Sequence, residues 1–202
     1  MKPRLIVEQK ITAFVNKYAI YTTTEDGHKG QLIALAQQKR VALKEKITFY
    51  TDESKQEVAF SFRAEKVMDI HGRYLVEDAH GNLIGAFRKD FKKSLVSSTW
   101  NIFNASDNPT LNVTESSTVL AVIRRYGGFI PIVGDIVDLI TSFLRYHFVF
   151  FDTETGHEVG RYQKTTLFRD HYTLLVEDGT YAKQDWRVLA AMAVGLDALQ
   201  SR

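Results

Sequence analysis

The chain is 202 residues long, contains no cysteine and has a formal net charge of +2. Its length suits one domain with a full core, and the missing cysteine excludes disulfides, thiol catalysis and thiolate metal sites. Near-neutral charge provides no bulk attraction to nucleic acid, so no nucleic-acid partner is expected, while a local basic face stays open.

The first ten residues hold only Leu5, Ile6 and Val7 as an apolar run before Glu8, too short for the core of a signal peptide. No run approaches the roughly 20 apolar residues that cross a bilayer as a helix. The expected setting is therefore cytoplasmic, peripheral to the inner face of a membrane if the chain meets lipid. From residue 11 the pattern is of short β-rich runs at 11–15, 18–24, 31–36, 47–51 and 58–62, with turns at Asp26-Gly27 and 52–56. Phe60 and Phe62 share one face of the last run, and Ser61 and Arg63 share the other. Residues 30–46 are less regular, and 43–46 suits a helical turn.

A hairpin follows, from Tyr74 through a turn at Asp78 and Gly81 and back along 83–89, with a further strand at 98–103. The layout recurs at 148–151, a turn to Gly156, a return along 157–164 and a strand at 172–176. Both blocks read G-x-x-x-G-x-x-x-K, as Gly81/Gly85/Lys89 and Gly156/Gly160/Lys164. The first glycine suits a turn residue with positive φ, the second a bulge or crowded strand. Such an internal duplication fits a closed barrel, which has no exposed edges.

Between the repeats lies an insertion of different character. Residues 104–109 read as a loop, and a helix at 118–126 ends on Arg124 and Arg125 before Gly127-Gly128. A second, amphipathic helix is predicted at 131–145, with Ile132, Ile136, Ile140 and Phe143 on its apolar face and Asp135 and Asp138 on the other. The chain closes on a third helix. From Trp186 to Leu199 nearly every residue is apolar, Arg187 and Asp197 are the only charges, and Asp185 suits the cap. A helix apolar on all sides must be enclosed, and here the enclosure is expected to be protein. The fold expected is mainly β (α+β): a closed antiparallel barrel around a central C-terminal helix. It forms a single domain over 1–202, in two similar halves at 10–103 and 147–202, with the helical insertion at 115–145.

The chain resembles the LURP-one-related family, which belongs with the Tubby C-terminal domain and the phospholipid scramblases. The D-x-R before an alanine-rich helix is matched by Asp185, Arg187 and the run to Leu199; Y-x-V-x-D-x-x-G-x-x-x-G is matched by Tyr74, Val76, Asp78, Gly81 and Gly85. A looser copy lies at Phe148, Phe150, Asp152, Gly156 and Gly160, with one more residue in the turn. The resemblance covers about residues 10–200 and implies twelve strands threaded by the terminal helix. Tubby domains bind phosphoinositides on their outer surface, so the resemblance implies a look for basic residues there. The proline-rich start, cysteine cluster and acidic calcium segment of scramblases have no counterpart in this chain.

Six scattered histidines form no H-x-x-x-H or HExxH pair, and neither G-x-S-x-G nor a phosphate-cradling G-x-x-x-x-G-K is present. The expectation is a non-enzymatic protein with no catalytic residue, no metal and no cofactor. Arg88, Lys89, Lys92 and Lys93 surround Phe91, and Lys39 and Arg40 begin a second basic stretch; these are the candidate contacts to anionic phospholipid. The plainer reading is a charged strand edge that discourages pairing between sheets. Ile132, Ile136, Ile140 and Phe143 are the candidates for a protein partner or a homo-oligomer, because the acidic polar face of 131–145 does not suit a lipid interface. Arg187 at the start of a buried helix needs a carboxylate, Asp185 or Asp170.

Overall fold

The alternation seen in the sequence becomes an alternation of faces. The structure, a computed structural model, describes residues 3–11, 15–39, 46–65, 72–90, 98–116, 148–164 and 170–200. In the strand Lys46–Tyr50, Ile47 and Phe49 are buried while Thr48 and Tyr50 are half-exposed; in Phe148–Asp152 the buried residues are Phe148, Phe150 and Asp152. Twelve such strands follow each other: β1 (Pro3–Ile11), β2 (Val15–Thr23), β3 (Lys29–Lys39), β4 (Lys46–Tyr50), β5 (Val58–Ala64), β6 (Arg73–Asp78), β7 (Leu83–Lys89), β8 (Thr99–Asn104), β9 (Pro109–Glu115), β10 (Phe148–Asp152), β11 (Glu158–Lys164) and β12 (Asp170–Val176). Each pairs antiparallel with the next, and β1 closes the barrel on β12, with Val7 opposite Tyr172.

After β12 a single helical turn, α1 (Thr180–Lys183), leads into α2 (Trp186–Gln200). Every residue from Val188 to Val194, and Leu196, is fully enclosed. The division of volume explains how a helix fits inside. α2 supplies Ala190, Ala191, Ala193 and Gly195, while the wall supplies bulky aromatics such as Phe49, Phe60, Phe62, Phe87, Phe150, Tyr162 and Tyr172. The Phe49 and Phe60 rings stack at 4.2 Å, and Trp186 meets Phe60 edge-on at 5.7 Å where the helix enters.

The second glycine of each repeat has the crowded position its spacing suggested. A Cβ at Gly85 would lie 2.6 Å from the Phe103 carbonyl oxygen, and one at Gly160 would lie 2.6 Å from that of Leu175. Both hairpins also carry a bulge, at Val76/Glu77 and Phe150/Phe151.

Three details depart from the sequence reading. The run 11–15 is not one strand: Ile11 ends β1 and Val15 opens β2, and β1 reaches back to Pro3. Its inward row is Leu5, Val7 and Gln9, and the buried amide of Gln9 obscured the alternation. The strand β9 was not expected, because only Leu111 and Val113 mark its inward face; pairing with β8, Val113 opposite Trp100, brings it into the sheet. Lys46 opens β4 and does not belong to a helical turn. The helices expected at 118–126 and 131–145 lie outside the described residues.

Candidate functional site

The connections that follow even-numbered strands all lie at one end of the barrel, the turn rim, and five of them are built alike. A side-chain oxygen on the first residue accepts a backbone N–H: His28 donates to Thr24 Oγ1 at 3.1 Å, Ser54 to Asp52 at 2.8 Å, and His80 and Asn82 to Asp78 at 2.9 Å. Ser106 and Asn108 donate to Asn104 at 3.0 Å, and Glu154 and Thr155 to Asp152 at 2.9 Å. A left-handed residue then reverses the chain: Gly27, Lys55, Gly81, Asp107 or Gly156. The sequence displayed this device at three glycine turns, Gly27, Gly81 and Gly156, since Lys55 and Asp107 conceal the other two members.

These hydrogen bonds occupy the carboxylates. The Ser54 hydroxyl and amide hold Asp52 below its usual range, and the Asn82 side chain and amide do the same for Asp78. Asp152 is depressed to about 2, first by the Thr155 amide and then by Lys183. Lys183 Nζ stands 3.0 Å from Asp152 and 3.1 Å from Glu154, clasping α1 to the β10–β11 turn. Beside this clasp opens a cleft of about 430 Å³ lined by Asn104, Asn108, Thr110, Asp152, Glu154 and Lys183. Thr110 donates 2.6 Å to buried Gln184, and Thr153 donates to the Pro109 carbonyl. Most polar groups around the cleft thus serve each other, the Gln184 Nε2 behind it having no hydrogen-bond partner among the described residues, and none is paired as nucleophile and base. Among the described residues no three His, Asp or Glu side chains group as metal ligands.

Arg187 is at the same rim. Its guanidinium meets Asp185 at 2.7 Å, and Asp185 also accepts the Arg187 amide at 2.8 Å, serving as ion-pair partner and helix cap together. Asp170 opens β12 at the opposite end of the barrel and is not the partner.

The opposite rim differs in charge. Among the described residues every turn-rim connection carries a carboxylate: Glu25 and Asp26, Asp52 and Glu53, Asp78, Asp107, Asp152 and Glu154, Glu177 and Asp178. At the opposite end, Lys10 is paired in register with Lys17, Lys39 ends β3, Lys46 opens β4, Arg63 lies near the end of β5, Arg73 opens β6, Arg88 and Lys89 end β7 and Lys164 ends β11. Four carboxylates, Glu65, Asp90, Glu115 and Asp170, share this end, so among the described residues bases outnumber acids there. Of the basic residues singled out in the sequence, Lys39, Arg88 and Lys89 share this rim, whereas Arg40, Lys92 and Lys93 lie outside the described residues. Ile132, Ile136, Ile140 and Phe143 also lie outside them. Arg88 and Lys89 diverge: Arg88 is exposed on the outer wall, and Lys89 lies 5.8 Å from the Trp100 ring. The lipid contacts expected from sequence did not include Lys10, Lys17, Arg63, Arg73 or Lys164. Their signal was positional, a base where an odd-numbered strand begins its connection or an even-numbered one resumes.

No curated protein matches the chain in sequence. An X-ray structure of a protein from Arabidopsis thaliana is similar at 12% identity, covering 98% of this chain and 93% of that one with a TM-score of 0.48. The model of the LURP-one-related family matches residues 33–197. That match runs from β3 through the repeated hairpins into the enclosed helix, so the chain belongs to the LURP-one-related family.

Proposed function

We propose that this barrel is a non-enzymatic module that docks on anionic phospholipid surfaces through its basic rim. The observation that carries the reading is the polarity of the barrel: bases outnumber carboxylates at the strand ends of one rim, and carboxylates occupy every described connection of the other. Each Lys or Arg near an anionic bilayer contributes on the order of 1 kcal/mol, within a screening length of about 8 Å at physiological salt. An acidic far rim adds orientation, because it is repelled by the surface that attracts the near one. The interior is filled by α2, so a ligand meets the outside of the wall.

Co-sedimentation with phosphatidylcholine vesicles containing phosphatidylserine tests this at low and moderate salt. Binding is expected to require phosphatidylserine, to weaken as salt rises, and to fall when Lys17 and Lys46 are both changed to Glu. Changing Lys29 and Lys55 of the turn rim to Glu is expected to have a smaller effect. Equal loss from the two pairs, or no binding by the wild type, overturns the reading.

A further inference from the structure

On the outer wall, Arg73 of β6 and Arg88 of β7 are cross-strand neighbours, and both guanidinium carbons lie 5.4 Å from the centroid of the Phe103 ring. Like charges directly opposite each other in a sheet repel unless opposite charge meets them. Arg73 has such partners, Asp107 at 2.5 Å and Glu65 at 4.0 Å. Arg88 is exposed and has no carboxylate partner among the described residues. The same register row continues with Asn101 opposite Arg88 and Asn112 opposite Asn101. Both asparagines are half-buried, and neither side chain makes a hydrogen bond among the described residues. With neighbouring strands about 4.8 Å apart, these donors span roughly 10 Å of wall.

We infer that Arg88, Asn101 and Asn112 form a binding site for a phosphate monoester, with the Phe103 ring holding the Arg88 guanidinium in place. A guanidinium stacked on a ring keeps its in-plane N–H groups free, and that fork matches two oxygens of a phosphate. A monoester presents three terminal oxygens, so one remains for the neighbouring amides. A carboxylate or a phosphodiester has two and leaves the amides unused. Arg73 is already neutralised by Asp107, so the row offers one uncompensated cation and neutral donors, which suits a small phosphate more than a highly charged cluster. The group has two sources, a lipid headgroup such as that of phosphatidic acid, or a soluble phosphate. The lipid source rests on the docking reading above; the soluble source does not.

Vesicles containing phosphatidic acid are compared with vesicles holding the same fraction of phosphatidylglycerol, a diester. Wild type is expected to prefer phosphatidic acid. Arg88→Gln is expected to remove that preference, lowering binding to phosphatidic acid about tenfold, the scale of a lost charge-assisted hydrogen bond. Asn101→Ala should remove part of it. Lys46→Gln, away from the row, should lower both lipids equally. In a second arm, glycerol 3-phosphate is titrated while the side-chain NH2 resonances of Asn101 and Asn112 are followed by NMR. Saturable shifts absent from the Arg88→Gln protein support the site. If they occur with no vesicle binding of any kind, the site stands with a soluble ligand and the docking proposal falls. If vesicles bind but without preference, and no shift saturates, the site falls and docking stands. A preference untouched by Arg88→Gln also overturns the inference.

Discussion

Gly85 of β7 faces Val188 of α2 so closely that a β-carbon on the glycine would stand 2.8 Å from Val188 Cγ2. In the first copy of the repeat the second glycine is therefore where the wall admits the helix, whereas Gly160 in the other copy is crowded by β12. Gly85→Ala pushes that carbon against Val188 and also to within 2.6 Å of the Phe103 carbonyl oxygen, which is backbone and has little room to yield. The variant is expected to lose about 1–3 kcal/mol through overpacking, measured as a lower urea midpoint. Gly81→Ala provides the contrast: its β-carbon meets nothing within 4 Å, and its cost, about 1 kcal/mol, comes from φ of +84° alone. Equal stability of Gly85→Ala and wild type would contradict the close contact.

Ala191 lies midway along α2 and is fully enclosed. Ala191→Asp places a carboxylate in the enclosed interior, and the nearest cation on the helix, Arg187 one turn earlier, is already paired with Asp185; the change costs several kcal/mol or more. We expect loss of the folded state, read as a collapsed far-UV and near-UV circular dichroism signal. Ala191→Ser at the same position is expected to fold with reduced stability. A folded Ala191→Asp protein would mean that the helix is not enclosed.

Asp152 sets a pH dependence of definite sign. Its folded pKa of about 2 lies below the ordinary value of 3.8, held there by the Thr155 amide and then by Lys183. A depressed acid contributes stability that is complete above its unfolded pKa and is lost as pH falls through the folded one. Stability should therefore decline between about pH 4 and pH 2. Asp152→Asn keeps the size of the side chain and removes the charge, so its acid limb should be flatter over that window. Parallel acid limbs for the two proteins would count against the Lys183 clasp.

The terminal helix and its enclosure were legible because composition alone poses the problem: a run such as Val188 to Val194 has no face that water accepts, whatever surrounds it. The hairpins were legible through Gly81 and Gly156, since positive φ and tight turns restrict the residue to few types. The strand β9 was not, because Leu111 and Val113 have meaning only against Trp100 and Phe150, which lie on the neighbouring strands β8 and β10. The five-fold repetition of the turn was hidden where Lys55 and Asp107 adopt a left-handed conformation that glycine usually marks.

The candidate site divides along the same line. The sequence alone determined that bases gather near Arg88 and Lys39, because they are neighbours along the chain or a few residues from one another. It also determined that the barrel must be filled by α2, through the absence of polar faces on that helix. Tertiary structure alone decided that Arg73, Arg88, Asn101 and Asn112 form one row, since residues far apart in sequence become adjacent only through strand register. It separated Arg88 from Lys89 as well, because successive residues of a strand point to opposite faces of the sheet. Acid and base are mixed along the chain, and the reversal of each strand gathers most of the bases at one rim, beside Glu65, Asp90, Glu115 and Asp170, and most of the carboxylates at the other.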